Sequence, residues 1–223
     1  ALLGSVTVLI SPVFLLLPAR GPVTGTPSPA LRRDAGRVAI FAIILSAAAA
    51  AHWTFTERMA LQVGLDMTQV GQMFAASLVI GIIAAALAAT AGDRIGSVRP
   101  IFVAWSTVLL LGFALPHLAT PLAFIISFCL LRFFTNINDP FVVGVVARLD
   151  IEGRLTTVFA ACGLFGAAIG PFLASTIAGD GNLTRLGWAF LIMGAGAFLI
   201  FVPFLARPEI TRKETVTAPD LQA

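Results

Sequence analysis

The stretch Gly92-Asp93-Arg94-Ile95-Gly96-Ser97-Val98-Arg99 joins two apolar runs, about 68 to 91 and about 100 to 116, and its reading decides the fold. A helix of roughly 20 apolar residues crosses the ~30 Å hydrocarbon core of a bilayer. A charged, glycine-bearing connector this short must therefore turn tightly at a membrane surface. Its acid and base are placed to lock or release the neighbouring helices.

Working outward, five more runs have the same character, at about 2 to 17, 38 to 59, 121 to 147, 155 to 178 and 186 to 206. They are continuous rather than alternating and are rich in Ala, Leu, Ile and Phe, which points to helices and not to a barrel. Hydrophobic residues make up 58% of the chain and charged ones 11%, against about 25% charged in soluble domains. The expected fold is an all-α membrane protein. The first run is short, begins at Ala1 with no Met or basic leader, and is interrupted by Pro12. Those features argue against a signal peptide and for a chain cut inside a helix.

Arg and Lys in the connectors set the orientation. One side holds Arg20, Arg32, Arg33, Arg37, Arg94, Arg99, Arg148 and Arg154, and the tail adds Arg207, Arg212 and Lys213; the other side holds only Arg58 and Arg185. This asymmetry puts the C-terminus in the cytoplasm, and a basic cytoplasmic face accounts for the net charge of +3 without a nucleic-acid partner. Cys129 and Cys162 fall inside spans, where a thiol packs as a small apolar group. His52 and His117 lie in different segments away from grouped acids, so neither a metal site nor a cofactor is expected.

Residues 18 to 37 carry Pro18, Pro22, Pro27 and Pro29 before Arg32-Arg33-Asp34. This composition cannot be helical throughout and reads as a cytoplasmic linker. The expected organisation is a leading span over 1 to 17, that linker, one six-helix domain over 38 to 206, and a cytoplasmic tail over 207 to 223. Small residues crowd two spans, with Gly71, Ala75, Gly81 and Ala88 in one and Gly163, Gly166, Gly170 and Ala174 in the other. In lipid such stripes let backbones approach closely, either as static packing or as smooth sliding contacts. Pro140, and Pro171 after Gly170, predict helix kinks.

Polar residues concentrate in the runs at 38 to 59 and 121 to 147. Arg132, Asn136 and Asp139 stand at i, i+4 and i+7, one face of a helix. An ionised group at mid-bilayer costs about 2.5 to 3.5 kcal/mol on insertion scales, so this stripe should face inward. It is either an ion pair to neighbouring helices or a substrate and proton site. His52 is read as a proton carrier or a helix–helix contact, and Trp53 as a ligand-stacking ring or bundle packing. Glu57, with Arg58, lies near the outer end of its span and can snorkel.

These residues resemble the C-terminal half of a major facilitator superfamily transporter. The family's loop signature reads G-x-x-x-D-R-x-G-R-[RK]; Asp93, Arg94 and Gly96 match it, Ala89, Ser97 and Val98 depart from it, and Arg99 comes one position late. The resemblance implies a half-bundle of two inverted three-helix repeats whose first helices line a central cavity. It implies alternating access by a secondary transporter of a small organic solute in the inner membrane, coupled to protons as a symporter or antiporter. Asp93, Arg94, Gly96 and Arg99 become a cytoplasmic gate, and the leading span becomes the last helix of a missing N-terminal half. Multidrug or metabolite efflux on the same fold stays open. A seven-helix receptor is the rival class, although the sole lysine, Lys213 in the tail, excludes a retinal Schiff base inside the bundle. No enzyme is expected, since no catalytic acids, His or metal ligands cluster. A pseudo-two-fold relation between 38 to 116 and 121 to 206 would favour the transporter.

Overall fold

The computed structural model describes residues 29–149, 153–179 and 181–207, with the side chains of 29–31 and 91–95 set aside. It consists of α1 (Pro29–Gln62), α2 (Met67–Ile95), α3 (Val98–Ala114) with a 3-10 turn at Leu115–His117, α4 (Pro121–Leu149), α5 (Arg154–Ala178) and α6 (Thr184–Leu205). All six helices are long and apolar enough to cross a membrane, and the described residues contain no strand. The expected leading span over 1 to 17, the first part of the linker and the tail beyond Arg207 lie outside the described residues.

The helical domain begins at Pro29, ahead of the expected start at 38. Proline suits the first turn of a helix, where its missing N–H has no intrahelical partner to lose. The 34 residues of α1 run to about 50 Å, well beyond the ~30 Å of hydrocarbon. Residues 29 to 37 are therefore helical and continuous with the first span. Arg207, expected in the tail, closes onto this extension. Its two guanidinium nitrogens donate to Asp34 at 2.8 and 2.7 Å, so the start of α1 and the end of α6 lie together.

The octet's first four residues belong to the last turn of α2, and the turn itself is only Gly96-Ser97. Gly96 has φ of 74°, a region that only glycine enters freely. At its other end α2 opens with a capping box: Asp66 accepts from the Gln69 N–H at 2.9 Å, and the Gln69 side chain accepts from the Asp66 N–H at 3.0 Å. That pair satisfies two of the donors a helix start leaves unpaired.

Helix packing follows a two-fold exchange. The chief pairs are α1 with α5, α2 with α4, α1 with α6, α3 with α4, and α3 with α6. Exchanging α1 with α4, α2 with α5 and α3 with α6 turns α1·α5 into α4·α2 and α1·α6 into α4·α3, and returns α3·α6 to itself. The bundle thus has the connectivity of two three-helix repeats. Small residues make the closest crossing, where α5 lies on α1. A Cβ built on Gly170 would stand 2.7 Å from the Ala47 carbonyl oxygen and 2.7 Å from the Ala50 Cβ, and one on Gly166 would strike the Ile43 backbone.

Two packed cores form, one at each end of the bundle. The first gathers Phe41, Ile101, Trp105, Val145, Leu155, Phe201 and Phe204, and the second gathers Phe55, Met59, Met73, Leu115, Phe124, Phe128 and Leu186. The helices run unbroken through Pro140 and Pro171, so neither proline ends its helix. Each still deprives a carbonyl four residues earlier, at Asn136 and Ala167, of its helical donor.

Candidate functional site

A cavity of about 360 Å³ lies between the two cores, at mid-length of α1 and α4. Its wall takes Ser46, His52 and Trp53 from α1, Trp105 and Leu109 from α3, Phe128, Arg132, Thr135, Asn138 and Asp139 from α4, Ala167 from α5 and Phe190 from α6. Most of this surface is apolar, and the polar groups that interrupt it come chiefly from α4. Small-solute sites have this character, with a few placed polar groups in an apolar hollow of some 300 Å³ or more.

Trp53 and Arg132 form the cation-bearing wall. The guanidinium carbon of Arg132 sits 4.8 Å from the centre of a Trp53 ring, within cation–π range. Phe74 of α2 and Phe128 of α4 hold that indole, at centroid distances of 5.0 and 6.0 Å. The buried Arg132 Nε has no hydrogen-bond partner. Asp139 lies on the same wall and is exposed on the open side of the bundle. Among the described residues no ion pair within 4 Å joins it to Arg132.

Asn138 is the polar residue that helix periodicity missed. It is 6% exposed, lines the cavity, and its Oδ1 is buried with no donor. Asn136, expected on the cavity stripe, turns toward α2. Its amide donates to the Arg132 carbonyl at 2.8 Å and packs where Gly81 leaves room. Residues two apart point to nearly opposite sides of a helix; the cavity-facing arc of α4 is centred near Phe128 and Thr135 rather than on the Arg132–Asn136–Asp139 stripe, which brings Asn138 in and leaves Asn136 out. A glycine on the facing helix was the signal that distinguishes them.

His52 reaches the cavity wall but has a defined partner. Its Nε2 donates to the Gly112 carbonyl of α3 at 3.2 Å, and its ring lies against Phe190 at 4.9 Å. The reason lies four residues beyond Gly112: residue 116 is a proline and offers no N–H to that carbonyl. The imidazole supplies the donor the helix lacks, tying α1 to α3. Glu57 is exposed on α1 and does not line the cavity, while the neighbouring Arg58 lies over the Phe55 ring at 5.1 Å.

The proposed gating residues lie elsewhere, at the end of the bundle where α1 begins and α6 finishes. Gly96 makes the turn and Arg99 is exposed in the first turn of α3; the side chains of Asp93 and Arg94 lie outside the described residues. Among the described residues, no group of His, Cys, Asp and Glu is arranged to hold a metal ion.

A family model described as Major Facilitator Superfamily matches residues 38–222. Neither the curated proteins nor the solved structures give a match.

Proposed function

The chain belongs to the major facilitator superfamily, and from that premise we propose that it moves a small organic solute through the mid-depth cavity by alternating access, coupled to protons. One observation carries the reading. Among the described wall residues, the only cation–carboxylate combination, Arg132 with Asp139, faces a hollow enclosed by a packed core at each end of the bundle. Transporters built from inverted repeats bind near the bilayer midplane and rock one bundle against another around that site. Family membership and the two-fold packing pattern also answer the receptor alternative.

In this reading a second six-helix half completes the cavity across its open side, where Asp139 and the exposed face of Trp53 look outward. Solute binding engages Arg132. Asp139 exchanges its proton as that guanidinium approaches and withdraws, which couples protonation to conformation. The arginine-rich end is cytoplasmic by the charge asymmetry of the connectors, with Asp93, Arg94, Gly96 and Arg99 forming part of the gate there.

The test uses the complete protein carrying this chain, reconstituted in liposomes. Arg132→Ala and Asp139→Asn should each abolish or strongly reduce solute flux while membrane insertion stays intact. Near-normal flux in both would refute the assignment.

A further inference from the structure

The charges on the cavity wall limit what the hollow can take up, and this step rests on the transport reading of the same site. Among the described residues, Arg132 and Asp139 of α4 are the charged side chains that line it. From α1 comes a further titratable group, His52, whose Nε2 is already bonded to the Gly112 carbonyl at 3.2 Å. The lining from α3, α5 and α6, with Trp105, Leu109, Ala167 and Phe190, brings none, and α2, also packed against α4, lends the wall no residue. With a neutral imidazole the empty wall therefore balances, guanidinium against carboxylate.

Arg132 is the group an anion meets. It is half-buried, and of its nitrogens only Nε is both buried and unpartnered. The two terminal nitrogens reach the hollow with no partner among the described residues, and a carboxylate, which only accepts, suits them. The rest of the hollow, about 360 Å³, is walled by side chains such as Phe128, Phe190 and Leu109, a lining for an apolar body. Asp139 stands on the open side, about 10 Å of helix rise from Arg132, and no ion pair joins the two among the described residues. Coupling does not require contact, since charges interact over such distances where protein rather than water lies between them. The two groups do act on each other electrostatically. A monoanion on Arg132 cancels the field that holds Asp139 ionised and leaves the wall with negative charge in excess. A proton taken from water onto the Asp139 carboxylate removes that excess, which is costly at membrane depth. An organic cation would instead add to the charge of Arg132. We infer that the solute is a small apolar monocarboxylate whose arrival on Arg132 brings a proton onto Asp139, so that solute and proton cross together without net charge. The loaded wall then holds a guanidinium, the solute carboxylate and a carboxylic acid, and the emptied wall returns as guanidinium and carboxylate. Both states are neutral, and the direction of coupling is symport.

Four probes share a phenylethyl body: 3-phenylpropanoate, 2-phenylethanesulfonate, the neutral 3-phenylpropanamide and the cationic 3-phenylpropylamine. Titration calorimetry on the complete protein in detergent, repeated in buffers of different ionisation enthalpy, reads both affinity and protons taken up. The two anions should bind at least about tenfold more tightly than the amide or the amine, the scale of one charge-assisted hydrogen bond. Each should bind with uptake of about one proton, so affinity should fall about tenfold per pH unit where the empty site is ionised. The sulfonate stays ionised throughout, so a proton taken up with it resides on the protein. Asp139→Asn, neutral at every pH, should still bind the anions but lose the proton uptake and the pH slope. Arg132→Gln should remove the preference for anions, and Arg132→Lys, which keeps the charge, should retain part of it and guards against a variant that fails to fold. Equal binding of charged and neutral probes, binding of none, or anion binding without proton uptake would overturn the inference. Binding of the carboxylate but not the sulfonate would overturn it by placing the proton on the solute, and uptake that survives Asp139→Asn by placing it on another group such as His52. Uptake of radiolabelled 2-phenylethanesulfonate into liposomes tests transport separately, because this anion does not leak through lipid as a neutral acid. An acid-outside pH gradient should drive it and a membrane potential should not. The expected binding pattern without flux would sink transport and leave the site standing, whereas flux that follows the potential and ignores the pH gradient would sink the inference alone.

Discussion

Replacing Gly170 with alanine tests the α1·α5 crossing on which the cavity wall depends. The new methyl would stand 2.7 Å from the Ala47 carbonyl oxygen, 2.7 Å from the Ala50 Cβ and 2.9 Å from the Ala51 amide nitrogen. Carbon atoms pack best at about 3.5 to 4.0 Å, so the helices must separate by about 1 Å at this point. Two of the three atoms are backbone and the third is a Cβ, so no side-chain rotation relieves the clash. Overpacking of this kind costs about 1 to 3 kcal/mol. The gain in helix propensity from Gly to Ala, about 1 kcal/mol, offsets only part of it. Gly196 of α6 provides the control, because nothing lies within 4 Å of a Cβ built there. In thermal denaturation of the complete protein in detergent, Gly170→Ala should lower the midpoint while Gly196→Ala should hold or raise it. Ala167 of the cavity wall lies one turn from Gly170, so solute affinity should fall as well. Equal midpoints for the two variants would show that α5 does not rest on α1 through this glycine.

Asp34→Asn should destabilise the protein by about 1 to 3 kcal/mol, less than the ~3 to 5 kcal/mol of breaking a fully buried pair, because the Arg207 side chain is 29% exposed; denaturation in detergent measures it, and no change would remove the pair from the account of how α1 is anchored. Gly96→Ala should cost about 1 to 2 kcal/mol, since alanine is strained at φ of 74°, and Gly36→Ala, with φ ordinary and open space around it, should be harmless in the same assay. His52→Phe keeps a ring against Phe190 but strands the Gly112 carbonyl, so stability should fall by about 1 kcal/mol. If His52 also carries protons, proton-driven flux should collapse in that variant while solute counterflow persists; flux that keeps its proton dependence would confine His52 to the helix contact.

Some of the candidate site was readable along the chain. Arg132 and Asp139 announce themselves because charge inside an apolar run is expensive, and Trp53 lies one step from His52 in the other polar span. The choice between Asn136 and Asn138 was not readable, since both interrupt the same run and the rotation of α4 that selects between its two sides is set by the helices packed against it. His52 was ambiguous for a similar reason. Its role depends on Pro116, 64 positions away, whose missing N–H leaves a carbonyl that only tertiary packing brings within reach.

Membrane class, the six spans from 38 to 206 and the family followed from the sequence alone, because burial in hydrocarbon is a property of each segment by itself: a run of about 20 apolar residues must be a helix there, whatever its neighbours do. The octet added the family by its residue pattern. Tertiary structure decided the rest. Asp34 and Arg207 stand 173 positions apart in stretches that read as linker and tail, and they meet because an even number of spans returns the chain to the same end of the bundle. Which polar atoms remain unpartnered in the cavity depends likewise on how far each helix is rotated and on where Gly81, Gly166 and Gly170 let backbones close. Contacts between helices set those quantities, and no single helix encodes them.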